Sequence, residues 1–394
     1  MLRNAQVGQA DDDGTISPGF LVSYKFAGDD DVETFLLGAR EMAEDGLAVF
    51  SPQSPLGSAL IGARVGDKVS YVAPNGKTIN VEVRGEFLDF MHGVLDTPAA
   101  PEVSFGDDPL RMLRAARFVS QLGFTVAPRV RTAIEEMAPQ LSRITAERVA
   151  AEFDKLLLGA DPVAGVDLVV QTGMGEQLLP EIGAMRMAID EHHQHKDVYQ
   201  HSLTVLRQAI DLEDPAEPPD LVLRWAALLH DIGKPATRRH EADGGVSFHH
   251  HEVVGAKMTR KRMRALKYSK QMIDDVSQLV YLHLRFHGYG DGKWTDSAVR
   301  RYVADAGPLL DRLHKLVRAD CTTRNRRRAR RLQENYDDLE RRITAIAAAE
   351  DLQRVRPDLD GNAIMELLGI PPGPLVGKAW KHLKEVRLDR GDRK

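Results

Sequence analysis

The chain has 394 residues, 43% of them apolar and 28% charged, with a formal net charge of −5 and one cysteine, Cys321. That length allows about two to four domains, each burying its own core. The lone cysteine excludes an internal disulfide and fits a reducing cytoplasm, and no apolar run approaches the ~20 residues that span a bilayer. The opening MLRNAQVGQADDDG is polar and acidic, unlike a secretory or transit leader. A cytoplasmic location without a membrane partner is therefore expected. The acidic balance argues against indiscriminate nucleic-acid binding, but it is unevenly spread. Residues 1–86 carry seven Lys and Arg against thirteen Asp and Glu, whereas 312–331 hold nine Lys and Arg and one acidic residue. A phosphate backbone responds to the local patch rather than to the average.

Residues 1–86 read as β-rich. FLVSYKF, LAVFSP, DKVSYVAP and KTINVEVR alternate with period two between Gly, Pro, Asp and Asn breaks. Pro74, Asn75 and Gly76 lie between two such runs and predict a turn, because proline presets its φ and Asn-Gly tolerates positive φ. The segment 55–63 reads as one short helix packed on the sheet. The acidic runs at 11–13 and 29–31 read as solvated loops.

From residue 87 the texture is helical. DDPLRMLRAARFVSQLGF sets Leu110, Leu113 and Phe118 on an apolar side, with Arg111, Arg114 and Arg117 in a drifting stripe on another. Asp107 and Asp108, before Pro109, suit the first turn of a helix. RVRTAIEEM, TAERVAAEFDKLLL and DPVAGVDLVVQTG continue as helices. The arginines admit two readings. They form an exposed solvated face, or an arginine fork and a carboxylate face the edge of a base as a complementary strand would.

Eleven of the 14 histidines lie between His192 and His287. His201, the pair His230-Asp231 in LRWAALLHDIGKP, and Asp320 in KLVRADCTTR sit on segments that read as separate helices. His249, His250, His251 and His283 fall between them. A lone His-Asp dipeptide is ordinarily a surface or capping pair. Imidazole and carboxylate are also the side chains that hold a borderline divalent ion, and a ligand set with open positions makes a hydrolytic site. His230 and Asp231 are the catalytic candidates. Lys234, with Arg238 or Arg239, could hold a substrate phosphate or be an ordinary surface cation. Cys321 reads as a small buried side chain beside Asp320.

Beyond the histidines, RNRRRARRLQENYDDLERRITAIAAAEDL reads as one long charged helix, basic in its N-terminal half. A tail follows, broken at Pro357 and at Pro371-Pro372. Arg324, Arg326, Arg327, Arg328, Arg330 and Arg331 either contact RNA phosphates, which position RNA without reading it, or make a helix face paired with Glu334, Asp337 and Glu340.

The pattern H…HD…H…H…D over residues 199–324 resembles the HD superfamily of metal-dependent phosphohydrolases. The resemblance implies a first metal on His201, His230, Asp231 and Asp320, and a second on His251 and His283. His249 and His250 are then neighbours rather than ligands. The order SFGDDPLRMLRAARFVSQLGFTV, LSRITAERVAAEFDKLLL, then the HD region resembles CCA-adding tRNA nucleotidyltransferases of the poly(A)-polymerase-like class, HD-domain subfamily. This resemblance runs from about residue 87 to the C-terminus. It implies that Asp107, Asp108 and Arg111 select CTP or ATP, with Asp108 and Arg111 as the base-reading pair. Asp107 stands where the family more often has Glu. Arg114, Arg117, Arg143 and Arg148 match positions that support the nucleotide pocket or the neck. No Gly-Gly-x-x-Arg-Asp segment or Asp-x-Asp head precedes the neck, which puts nucleotidyl transfer in question; 87–101 reads as a worn remnant of the entry to the neck.

ETFLLGAREM and VFSPQSPLGSALIGARVGDKVSYVAPNGKTINVEV resemble the C-terminal, FKBP-like domain of the Gre transcript-cleavage factors. That resemblance implies docking on RNA polymerase through the Ser-Pro turn, here Ser54 and Pro55, residues that equally suit a turn closing a β-domain. The Gre catalytic carboxylates lie on a coiled coil with no counterpart here, so transcript cleavage is not expected. Natural fusion, engineered chimera and misassembled gene share this pattern.

The expected fold is an α+β multidomain chain: a small FKBP-like β-rich domain at 1–86, an all-α neck and body at 87–190, an HD helical bundle at 191–330 and a helical tail at 331–394. The expected function is tRNA 3′-end processing, with tRNA and nucleotides as partners and the HD site as a phosphohydrolase acting on 2′,3′-cyclic or terminal phosphates. The implied cofactor is Ni, Mn, Co or Mg at the HD site, with Mg and CTP or ATP if nucleotidyl transfer occurs. The alternative is a non-enzymatic adaptor that docks on RNA polymerase or binds tRNA.

Overall fold

A computed structural model describes residues 15–16, 21–26, 32–38, 48–64, 66–73, 76–83, 88–89, 93–97, 100–186, 197–241, 246–289, 294–321, 326–349 and 359–390. The acidic runs at 11–13 and 29–31, Pro74, Asn75, Arg324, Pro357 and the side chains of Arg326 and Arg328 lie outside the described residues. The chain divides into two compact units, Met1–Pro180 and Glu181–Lys394.

The first unit begins with a five-stranded sheet in the order β3-β2-β1-β5-β4. Its strands are β1 (Leu21–Phe26), β2 (Val32–Leu37), β3 (Ala48–Phe50), β4 (Lys68–Val72) and β5 (Thr78–Val83). All pairings are antiparallel except β2 with β3. Four of these strands fall on the alternating runs. β2 does not, because its Phe35-Leu36-Leu37 is a continuous apolar run, which period alone cannot separate from buried helix. Val22, Tyr24, Phe35, Leu37, Val81 and Val83 point into one core and close it against Leu56 and Leu60 of α1 (Pro55–Leu60). Gly76 has φ 79 and donates its N–H to Ala73 O at 2.8 Å, the left-handed position required by the turn between β4 and β5.

A small sheet follows, of β6 (Leu88–Asp89), β7 (Val94–Leu95) and β8 (Thr125–Val126). It modifies the expected all-helical neck, and two-residue strands leave no readable period. The helices are α2 (Pro101–Asp107), α3 (Leu110–Leu122), α4 (Pro128–Met137), α5 (Ala146–Leu157), α6 (Pro162–Gln171) and α7 (Met174–Leu178), and α8 (Pro180–Ala184) begins at the last residue of this unit and continues into the second. α3 buries Leu110, Leu113 and Phe118 as its pattern predicts, and packs on α5 and α6.

Glu152 of α5, 5% exposed, sits 3.1 Å from Arg117 and 3.7 Å from both Arg114 and Lys155. Removing one partner from a buried pair strands the other charge in low dielectric. Glu152→Ala is therefore expected to destabilise this unit by about 3 kcal/mol, read as a lower denaturant midpoint at unchanged slope. A change below about 0.5 kcal/mol would show the arginines to be well solvated.

Among the described residues, the second unit is helical apart from the antiparallel pair β9 (Arg239–His240) and β10 (Val246–Ser247). In chain order its helices are α9 (Val198–Asp211), α10 (Leu221–Leu229), α11 (Lys234–Thr237), α12 (His251–Ala265), α13 (Lys270–Leu282), α14 (Asp296–Ala306), α15 (Leu310–Asp320), α16 (Arg326–Ala349), α17 (Gly361–Leu368) and α18 (Pro374–Arg390). α10 is buried from Leu223 to Leu229, with Arg224 paired to Glu213 at 2.6 Å, and is packed by α9, α13 and α15. α16 packs on α14 and α15, and α18 is fastened to α14 by Arg301, 2.7 Å from both Glu385 and Asp389.

Candidate metal centre

Each of the six candidate ligands sits at or near a helix end or on an inward helix face. His201 lies on α9, His230 caps the C-terminus of α10 with Asp231 next, His251 opens α12, His283 caps α13 and Asp320 ends α15. The apolar run LVLRWAALL drives the end of α10 into the core and carries the His-Asp pair with it; His230 is 0% and Asp231 1% exposed. The approach of α12 depends on Gly233, where a Cβ would stand 2.2 Å from His251 O. Of the three adjacent histidines only His251 turns inward. His250 takes the left-handed conformation at the cap and, like His249, is exposed.

The ligands fall into two groups: His201, His230 and Asp320, and Asp231, His251 and His283. Within each, the candidate donor atoms lie within 4.8 Å of one another. Asp231 connects the groups. Its Oδ2 is 3.2 Å from His230 Nε2 and 3.5 Å from His201 Nε2, while Oδ1 is 3.3 Å from His251 Nε2 and 3.9 Å from His283 Nε2.

The ring orientations are fixed from behind. Nδ1 of His230, His251 and His283 lies 2.9, 2.8 and 2.6 Å from the carbonyl oxygens of Ala227, Phe248 and Val280. A carbonyl only accepts, so each Nδ1 carries the proton and a neutral ring presents Nε2 as a lone pair. His230 Nε2 lies 3.3 Å from His201 Nε2, itself 2.9 Å from Asp320 Oδ1, while His251 Nε2 and His283 Nε2 face each other at 3.3 Å. Two lone pairs at that distance call for a cation or a proton between them. The residues therefore fit a divalent ion in each group.

Without such an ion, protons and Lys234 supply the positive charge. Lys234 Nζ lies 2.6 Å from Asp231 Oδ2. Burial pushes the His230 pKa down, but the Asp231 and Asp320 carboxylates outweigh it and raise the group to about 8. For Asp231 burial works upward and is outweighed by His230, His251 and Lys234, which hold it well below the usual carboxylate range. Burial, then repulsion from His230, lowers His283 to about 3.

The other predicted site residues lie elsewhere. Asp107 ends α2 and is exposed, and Asp108 accepts from Leu110 N at 3.2 Å and from Arg148 at 2.9 Å. Arg111 donates to Ser104 O and Oγ at 3.2 and 2.9 Å, and Arg143 to Gly106 O at 3.1 Å. Arg114 and Arg117 are turned onto Glu152. Ser104 and Glu152 were not singled out from sequence, where an acid on an amphipathic helix carries no mark of the partner it will meet. Arg327, Arg330 and Arg331 are exposed on the first turns of α16, with Arg330 3.1 Å from Glu334. Ser54 caps α1: its Oγ accepts from Gly57 N at 3.0 Å and donates to Ser51 O at 2.7 Å, with Pro55 at the first helical position.

Three family models match: the C-terminal GreA/GreB transcription elongation factor domain over residues 11–84, a probable RNA- and SrmB-binding site of polymerase A over 123–185, and the HD domain over 198–349. An A-adding tRNA nucleotidyltransferase of Deinococcus radiodurans is 33% identical over 286 residues, 71% of this chain. The chain is a homologue of the CCA-adding tRNA nucleotidyltransferases. A CC-adding tRNA nucleotidyltransferase of Thermus thermophilus is 31% identical over 297 residues, 73% of the chain. This nucleotidyltransferase homologue spans 64% of the length of each of those relatives. The crystal structure of the Bacillus stearothermophilus CCA-adding enzyme in complex with CTP shares the fold, with TM-score 0.53, 20% identity, and coverage of 82% of this chain and 78% of that one. The HD match runs on through α16, which packs in the same unit as the histidines.

Proposed function

We propose that this chain is an RNA-processing phosphohydrolase whose working centre is the HD site, acting on 2′,3′-cyclic or terminal phosphates at tRNA 3′ ends. The observation that carries the reading is the meeting of six imidazole and carboxylate donors in two groups joined by one buried carboxylate. His201, His230 and Asp320 would hold one divalent ion and His251 and His283 a second, with Asp231 reaching both. An ion so held supplies Lewis-acid activation of water and of a phosphoryl oxygen.

The chain's own residues do the rest. The three backbone carbonyls keep the Nε2 lone pairs aimed inward, and the apolar bundle around α10 excludes bulk water. Lys234, held beside Asp231, is placed to exchange that carboxylate for a substrate phosphate once cations neutralise it. Homology to tRNA nucleotidyltransferases supplies the RNA class of the substrate, and the exposed cations Arg327, Arg330 and Arg331 supply phosphate contacts.

The test is hydrolysis of a tRNA ending in a 2′,3′-cyclic phosphate by chelator-stripped protein supplied in turn with Mn, Ni, Co and Mg. Activity restored by at least one ion is expected, together with tRNA binding that weakens as salt rises, since phosphate contacts release counterions. No hydrolysis with any ion would remove the phosphohydrolase. A binding isotherm insensitive to salt would remove the phosphate contacts. A second reading, an adaptor docking on RNA polymerase through Ser54 and Pro55, draws on the GreA/GreB match over residues 11–84. Co-sedimentation with core polymerase, lost on deleting residues 1–86, would favour it.

A further inference from the structure

We propose that Tyr336 is a positioning residue for the metal centre, holding Asp320 in place from α16; this rests on the HD site binding a divalent ion. Asp320 is the last residue of α15, and the last carbonyls of a helix lack partners within it. Here Cys321 N is directed to Arg318 O at 3.3 Å, which leaves Val317 O to be satisfied from outside. The Tyr336 hydroxyl donates to it at 2.8 Å and lies 3.2 Å from Cys321 Sγ, so one buried phenol grips the turn on both sides of Asp320.

Tyr336 is 4% exposed. Its ring stacks on Phe286 with centroids 3.9 Å apart, three residues beyond His283. Arg318 covers its other surroundings, lying over the ring at 5.1 Å and reaching Asp337 at 2.9 Å and Glu340 at 3.1 Å on α16. The side chain thus joins the segment bearing Asp320 to the segment bearing His283. The helix that carries it starts at Arg326, within the proposed RNA-contacting arginines. RNA held by the first turns of α16 would therefore bear on the same element that sets the Asp320 carboxylate. Groups that orient a ligand without touching the ion are worth about 10- to 100-fold in metal affinity.

Tyr336→Phe keeps the ring and removes only the hydroxyl. Mn²⁺ binding, followed by loss of the free-ion EPR signal, is measured in two backgrounds. His251→Ala leaves the group of His201, His230 and Asp320, and His201→Ala leaves the group of Asp231, His251 and His283. Tyr336→Phe is expected to weaken Mn²⁺ about tenfold or more in the first background and to leave the second within about twofold. Equal affinity in the first background with and without the hydroxyl overturns the proposal. Equal weakening in both also overturns it, since that is general loosening of the bundle. Failure of the unsubstituted protein to bind Mn²⁺ at all overturns the metal reading itself and this proposal with it.

Discussion

Asp231→Ala is expected to abolish phosphoester hydrolysis, by roughly a thousand-fold or more, while the far-UV circular dichroism of the helical bundle stays unchanged. Loss of one stabilising donor in an active site already costs about 10²- to 10³-fold, and Asp231 faces both ligand groups at once. The substitution also leaves Lys234 Nζ without the carboxylate it touches at 2.6 Å and removes the main charge that raises His230. Bound metal should therefore fall in both groups, unlike His201→Ala, which touches one. Direct metal analysis of the two variants separates these outcomes. Unchanged turnover in Asp231→Ala would sink the assignment of the HD pair.

Metal affinity is expected to climb with pH and level off above about 8, because an ion must displace the proton on His230, whose pKa is raised to about 8. Between pH 6 and 8 the slope approaches tenfold per unit for the group containing His230. The same shift sets a stability profile for the metal-free protein. A histidine whose folded pKa exceeds its unfolded value of 6.5 adds stability that is complete below 6.5 and is lost as pH rises through 8. That loss is about 2 kcal/mol.

His283 has the opposite sign. Lowered to about 3, it stays neutral in the fold while the unfolded chain takes up its proton, so its contribution is lost as pH falls from 6.5 toward 3. The depressed pKa of Asp231 acts the same way below the ordinary carboxylate range. Thermal melts of chelator-treated protein should peak near pH 6.5 and fall on both sides. A profile flat from pH 5 to 9 would show that the two histidines meet no such environment.

Much of this was legible in residues alone. The histidine and aspartate pattern, with the HD resemblance, selected the side chains that the fold brings together, and the segments bearing His201, His230-Asp231 and Asp320 read as separate helices, as they are. Among the triple histidines, the family resemblance singled out His251, which the structure buries, while His250, in the left-handed region, and His249 are exposed. The alternating strands and the long charged helix were readable because period reports which face of an element is buried.

Partners were not readable. β2 hides in an apolar run, and the two-residue strands of the small sheet carry no period. Arg114 and Arg117 look like any basic stripe until α5 brings Glu152 beneath them. Sequence by itself determined most of the element types, the candidate ligand residues and the chain's three resemblances, since these depend on local pattern and side-chain chemistry. Only the tertiary structure decided that Asp231 joins two ligand groups, that Lys234 rests on it, and that Tyr336 holds the turn at Asp320. Those contacts join residues on different elements, most of them far apart in the chain, and their geometry is set by helix packing, which no local pattern encodes.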